Sequence, residues 1–295
     1  MDPRRKGSQS EPRRPVLLST RARLALKKAA HLKRCSPAIV MKPLAIGLFC
    51  LLLLHSRAQG LVGGAPLATG EIARSVIGIV GPNEFFCTAT AIANNLVLTA
   101  GHCMRSGPQY KVQYKDKTGA RSFADIAEWL RPPEFNAPTK KRTTADLAVL
   151  KLANPLPDDV GVAVLALNAP PIWPGDHFKV IGGGVALKGL RETGVNRIAD
   201  LVATGPFTDL QIRLIDPSGN QNTIGACFGD SGSPVFQSRA GDTKVIAVVS
   251  WAGSNTKIMG CGGITGATLL SPYRQWIEQT VSKLAGPSGH DATPK

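Results

Sequence analysis

From Leu61 onward the chain alternates short apolar runs with clusters of Gly, Pro, Asn and Asp. Runs of about four to eight residues rich in Val, Ile and Leu, bounded by such breakers, are the pattern of strands. Residues 75–80, 95–99, 147–152, 178–181, 210–215 and 245–251 have this form. One stretch departs from it. Residues 271–285 place Tyr273, Trp276, Ile277, Val281 and Leu284 on one helical face, with Ser271 as a candidate cap, Pro272 in the first turn and Gly286 as the stop. The pattern predicts an all-β chain with one terminal helix, followed by a small, polar, flexible tail over residues 286–295. No internal repeat is visible.

A different pattern precedes Leu61. An eleven-residue apolar run, residues 44–54, follows Met41 and Lys42 and is followed by Ala58, Gln59 and Gly60. It is too short to span a bilayer, which takes roughly 17 to 25 residues. Residues 41–60 therefore read as a secretory signal peptide cut between Gly60 and Leu61 by signal peptidase. No stable membrane anchor is expected to remain, and export to the extracellular space or a periplasm is expected. Residues 1–40, with eleven Lys and Arg and no apolar periodicity, read as a basic extension, a mis-annotated start upstream of Met41.

Charge changes the picture less than its total suggests. A net +15 points by itself to nucleic acid or an anionic membrane. Yet residues 1–60 hold 13 of the 35 basic and 2 of the 20 acidic residues, leaving 22 against 18 in the body. No nucleic-acid partner is expected for that body.

Removing residues 1–60 also removes Cys35 and Cys50, leaving Cys87, Cys103, Cys227 and Cys261 in an exported protein where disulfides persist. Four cysteines allow three connectivities, of which near-neighbour pairing is the simplest. Metal binding is the competing reading. It is weak, because there is no Cys-x-x-Cys and the His beside a Cys, His102, has a better explanation.

That explanation begins at residues 228–234, where Ser231 stands between Gly229 and Gly232 in a tight turn ahead of apolar Val235 and Phe236. Glycines allow backbone conformations closed to other residues, so main-chain N–H groups can converge where a carbonyl oxygen would become negative. A serine needs a base in reach, and the base needs a third group to fix its tautomer. Three histidines remain after residue 60. His290 lies in the polar tail and His177 in a turn. His102 ends the strand-like segment 96–102, beside a cysteine that could pin it.

Residues 98–103 (LTAGHC) and 229–234 (GDSGSP), in that order, resemble signature segments of the chymotrypsin/trypsin family of serine proteases. Residues 146–152 (DLAVLKL) resemble the segment that carries the family's aspartate, and residues 131–136 match upstream. The resemblance spans roughly residues 61–285, as of a bacterial-like secreted member. It implies two six-stranded antiparallel Greek-key β-barrels with a C-terminal α-helix, and a monomer. It also implies a secreted endopeptidase acting on protein or peptide substrates. Ser231 is the implied nucleophile, His102 the base and Asp146 the orienting carboxylate, with an oxyanion hole from Gly229 and Ser231. Ser250 matches the residue that buttresses the aspartate. The implied bridges are Cys87 with Cys103 and Cys227 with Cys261.

The same resemblance makes Leu61-Val62-Gly63-Gly64 an activating N-terminus whose α-ammonium pairs with Asp230. Gly60 is not a basic residue, so signal peptidase rather than an activating protease would free it. The pocket floor falls on Gly225, with walls at Ser250, Trp251, Ala252 and Thr265. Without a carboxylate at Gly225 a trypsin-like preference is not expected, and Ala252 and Thr265 point to small aliphatic residues over aromatic ones. No acidic cluster resembling the family's calcium loop occurs between Met104 and Arg131, so neither metal nor cofactor is expected. The rival class is a non-catalytic binding protein on the same scaffold.

Overall fold

The computed structural model describes residues 61–107, 109–136, 145–185, 193–218, 224–253 and 261–286. The expected signal peptide, basic extension and tail beyond Gly286, His290 among them, lie outside these residues. The described chain forms β1 (Val76–Gly81), β2 (Phe85–Ala93), β3 (Leu96–Thr99), β4 (Lys111–Lys115), β5 (Arg121–Leu130) and β6 (Ala148–Leu152). It continues with β7 (His177–Gly182), β8 (Arg197–Thr208), β9 (Gln211–Ile215), β10 (Pro234–Arg239), β11 (Asp242–Gly253) and β12 (Ile264–Leu269).

Each set of six closes into an antiparallel barrel, in the orders β1-β2-β3-β6-β5-β4 and β10-β11-β12-β9-β8-β7. In each, three consecutive strands pair in turn and the fourth returns beside the first, which is the Greek-key connection. Closure removes the open sheet edges on which another chain could pair.

The first core gathers Ile79, Leu96, Leu98, Val112, Val149 and Leu150, and continues into Phe236, Val248 and the C-terminal helix. A second cluster holds Phe178, Val180, Leu201, Ile212 and Leu214 within the other barrel, together with Leu61. Full burial of a Leu, Ile or Phe side chain contributes roughly 1.5–3 kcal/mol, so the two cores dominate the favourable side of folding.

The six expected strands match elements of the fold, and six others lie outside the expected runs. In β2 the buried positions include Thr88 and Thr90. In β5 no residue is fully buried. The terminal helix is the Arg274–Ala285 element, entered through a 3-10 turn over Ser271–Tyr273. Ser271 therefore lies inside that turn and makes no cap; Tyr273 occupies the position before the helix, and no side chain caps it. Tyr273, Ile277, Leu284 and the unexpected Thr280 are buried, and the helix packs on β3 and β6 of the first barrel. Gly286, at φ 76°, ends it as expected.

Candidate active site

The register of β3 on β6 pairs Thr99 with Ala148, so His102 just beyond one strand meets Asp146 just before the other. His102 sits in a 3-10 turn, Gly101–Cys103, joined to β2 by the Cys87–Cys103 disulfide. The turn is in tight contact with its surroundings: a methyl on Gly101 would stand 2.8 Å from the Leu147 carbonyl. Arg131 lies over the Phe135 ring nearby at 4.4 Å and donates to the Met104 carbonyl at 3.1 Å.

Asp146 is 5% exposed and is held from three directions. It accepts the His102 backbone N–H on Oδ1 at 2.8 Å, faces His102 Nδ1 with Oδ2 at 2.8 Å, and accepts the Ser250 hydroxyl at 2.5 Å. Burial pushes its carboxyl up, but the His102 contacts and the Ser250 hydroxyl together outweigh that and hold it below the ordinary aspartate range. An ionised Asp146 places the imidazole proton on Nδ1 and leaves Nε2 as an acceptor.

Ser231 stands in the turn ahead of β10, between Gly229 at φ 87° and Gly232 at φ 88°. A Cβ on Gly232 would lie 1.9 Å from the Thr88 carbonyl oxygen, so the turn requires glycine there for both conformation and space. Thr88 fastens this turn to the first barrel. Its N–H donates to the Ser231 carbonyl at 2.8 Å and its hydroxyl to the Gly229 carbonyl at 2.9 Å, while Gly183 N–H donates to that hydroxyl at 3.1 Å. Gly232 N–H donates to Val249 of β11 at 2.8 Å.

The same bonds bring the two halves of the site together. Cys103 Sγ lies 3.8 Å from the Ser231 carbonyl oxygen. This is a packing contact, since a disulfide sulfur carries no proton. His102 is 35% exposed in its side chain, and its Nε2 makes no direct bond to Ser231 Oγ among the described residues. Catalytic hydrogen bonds are commonly long in free enzymes and tighten on substrate. The N–H groups of Gly229 and Ser231 donate to no other group among the described residues.

Behind the turn, Asp230 is fully buried. It accepts Gly184 N–H on Oδ1 and Cys227 N–H on Oδ2, both at 2.9 Å. Burial raises its carboxyl to about 7, and the two N–H bonds offset only part of that rise. Leu61 is also fully buried, and Val62 exchanges backbone hydrogen bonds with Gly225 at 3.1 and 3.3 Å.

Gly225 thus borders the first residues of the barrel domain. The segment that follows it is tied to Cys261 by the Cys227–Cys261 disulfide, and Gly262 N–H donates to the Ala226 carbonyl at 3.0 Å. Thr265 is fully buried, pairs with Ala252 across β12 and β11, and accepts Ala226 N–H on its hydroxyl at 3.0 Å. Trp251 donates from its ring to Gln211 Oε1 at 3.0 Å.

Thr88, Gly184 and Gln211 were not foreseen. The run Gly182-Gly183-Gly184 after an apolar strand was a signal for the second; for the other two no local pattern exists. Among the described residues Cys87, His102 and Cys103 are grouped closely enough to suggest a metal. Two of them are the disulfide, so the set offers a single imidazole and does not fit an ion. No helix among the described residues is long and apolar enough to cross a membrane.

A family model described as Trypsin matches residues 61–277. The snake venom serine protease BthaTL of Bothrops alternatus is 26% identical over 218 residues, covering 68% of this chain and 88% of that protein. The vitellin-degrading protease of Bombyx mori is 25% identical over 244 residues, covering 76% and 86%. Neuropsin, a serine protease expressed in the limbic system of mouse brain, shares the fold at a TM-score of 0.60 with 18% identity, over 74% of this chain and 99% of its own. These relatives come from animals, so the bacterial-like character expected of the chain finds no support.

Proposed function

Because the chain belongs to the trypsin family of serine proteases, we propose that it is a secreted serine endopeptidase working through Ser231, His102 and Asp146. The observation that carries the reading is the pair of hydrogen bonds from His102 to Asp146, closed by Ser250, together with a glycine-flanked serine whose turn Thr88 holds to the first barrel. In this reading Ser231 Oγ attacks the scissile carbonyl while His102 Nε2 takes its proton and later returns it to the leaving amine. Asp146 holds the imidazole in the required tautomer and stabilises the imidazolium. The N–H groups of Gly229 and Ser231 receive the developing oxyanion.

Activation follows from the buried start of the domain. Residues 41–60 act as the signal peptide, and signal peptidase frees Leu61, whose α-ammonium neutralises Asp230. Two features support this. Asp230 is a buried carboxyl with only backbone donors against it among the described residues. Leu61 sits at φ 47°, a left-handed conformation that costs a non-glycine residue about 1–2 kcal/mol. A terminal residue has no φ, so cutting before Leu61 removes that cost. The residue before the scissile bond is small and uncharged: Gly225 supplies no carboxylate, and Thr265 and Ala252 narrow the walls. The substrates are proteins or peptides.

A serine-directed fluorophosphonate tests the reading. Labelling of the mature protein, lost in Ser231→Ala, is the expected result. A folded protein that does not label belongs to the non-catalytic binding class.

A further inference from the structure

Asp230 has an unusual neighbour. Ser233 is fully buried, and its hydroxyl finds no hydrogen-bond partner among the described residues. Its backbone N–H donates to the Asp230 carbonyl at 3.0 Å, closing the turn so that both side chains approach Gly182 at the end of β7. A methyl on Gly182 would stand 2.2 Å from Asp230 Oδ1 and 2.8 Å from Ser233 Oγ. The two oxygens are therefore separated by at most the sum of those distances. Leu61 belongs to the same core cluster as Val180, Ala226 and Val235, which flank Gly182, Gly225 and Ser233 along the chain.

An unpartnered hydroxyl in a dry interior is costly, and most such groups in folded proteins are paired. An α-ammonium entering that interior brings three donors, each of which needs an acceptor. The Asp230 oxygens each already accept one backbone N–H. One further acceptor close to the carboxylate would meet both needs.

We infer that Ser233 is a positioning residue of the activation pair: its hydroxyl oxygen accepts a hydrogen bond from the Leu61 α-ammonium beside the Asp230 carboxylate. The inference rests on the reading that a chain beginning at Leu61 pairs with Asp230. Ser233 acts through that pair on the Gly229–Ser231 turn and does not touch substrate.

The test uses the protein extended by one residue before Leu61, with the dipeptide Leu-Val added in solution and fluorophosphonate labelling as the readout. The dipeptide is expected to restore labelling, and Ser233→Ala to require at least about ten-fold more of it, the scale of one hydrogen bond to a charged group. Ser233→Gly removes the same oxygen without added volume and is expected to give the same shift. Without dipeptide, the thermal midpoint of Ser233→Ala should equal or exceed that of the parent, because a buried unpaired hydroxyl has been deleted. Equal dipeptide requirements in parent and variants, or a lower midpoint for Ser233→Ala without dipeptide, overturn the role of Ser233 and leave the Leu61–Asp230 pair standing. No response of the parent to the dipeptide overturns the pair itself, and Ser233 with it.

Discussion

Asp146, at the edge of the first barrel, and Asp230, in the turn that opens the second, are both buried, yet their carboxyls move in opposite directions. Asp146 has an imidazole and a hydroxyl against it and lies below the ordinary aspartate range. Asp230 has two backbone N–H groups and is raised to about 7. The desolvation is common to both, so the difference comes from their partners. The His102–Asp146 half of the site is electrostatically complete within the chain as described. The Ser231 half contains a buried carboxyl that lacks a counter-charge among the described residues, and a new N-terminus at Leu61 is what would supply one.

The largest effect is expected on the complete half. Asp146→Asn should leave the fold in place and lower kcat/KM by about 10⁴-fold, because the amide favours the wrong imidazole tautomer. Steady-state kinetics at neutral pH measure it, and a loss of ten-fold or less would mean that Asp146 does not orient the base.

The second effect separates the aspartates by pH. In a chain extended before Leu61, folded Asp230 keeps its proton up to about 7 whereas unfolded Asp releases it near 3.8. The folded state then binds more protons over that interval, so stability is greatest at its acid end and falls as pH rises through it. Freeing Leu61 should hold the carboxylate charged and flatten that slope. Asp146 works the other way: its lowered carboxyl contributes stability that is present above the unfolded value and lost as pH falls through the folded one. Thermal midpoints of extended and mature protein between about pH 4 and pH 7 show the contrast, and parallel profiles would remove the counter-charge role of Leu61.

The smallest effect belongs to the pocket. Thr265→Gly should shift cleavage by about ten-fold toward larger residues before the scissile bond, the low end of the 1–3 kcal/mol that a methylene-sized change is worth. It should also cost about 1–3 kcal/mol of stability, because Ala226 N–H loses its acceptor. A peptide series varied at that position, with unfolding of the same variant, checks both.

The sequence displayed these two halves unequally. His102, Asp146 and Ser231 stand in compact segments whose residue types announce chemistry, and the strands beside His102 and Asp146 are nearly all apolar because they are buried on both faces. Thr88 stands among Phe, Ala and Thr in β2, yet two of its bonds hold the serine turn to the first barrel and a third reaches Gly183. Its role depends on a partner far along the chain, and periodicity carries no record of which strand meets which turn. Ser271 failed as a cap for a related reason: the chain enters the helix through a 3-10 turn that places Tyr273, not the serine, at the start. The resemblance singled out Thr265, but its bond to Ala226 N–H had no signal in the sequence.

The central claim is that one cut both exports the protease and completes its second half. N-terminal sequencing of secreted, fluorophosphonate-labelled protein tests it most directly. A start at Leu61 on the labelled species is the predicted result, and labelled protein that begins at any other residue would contradict it.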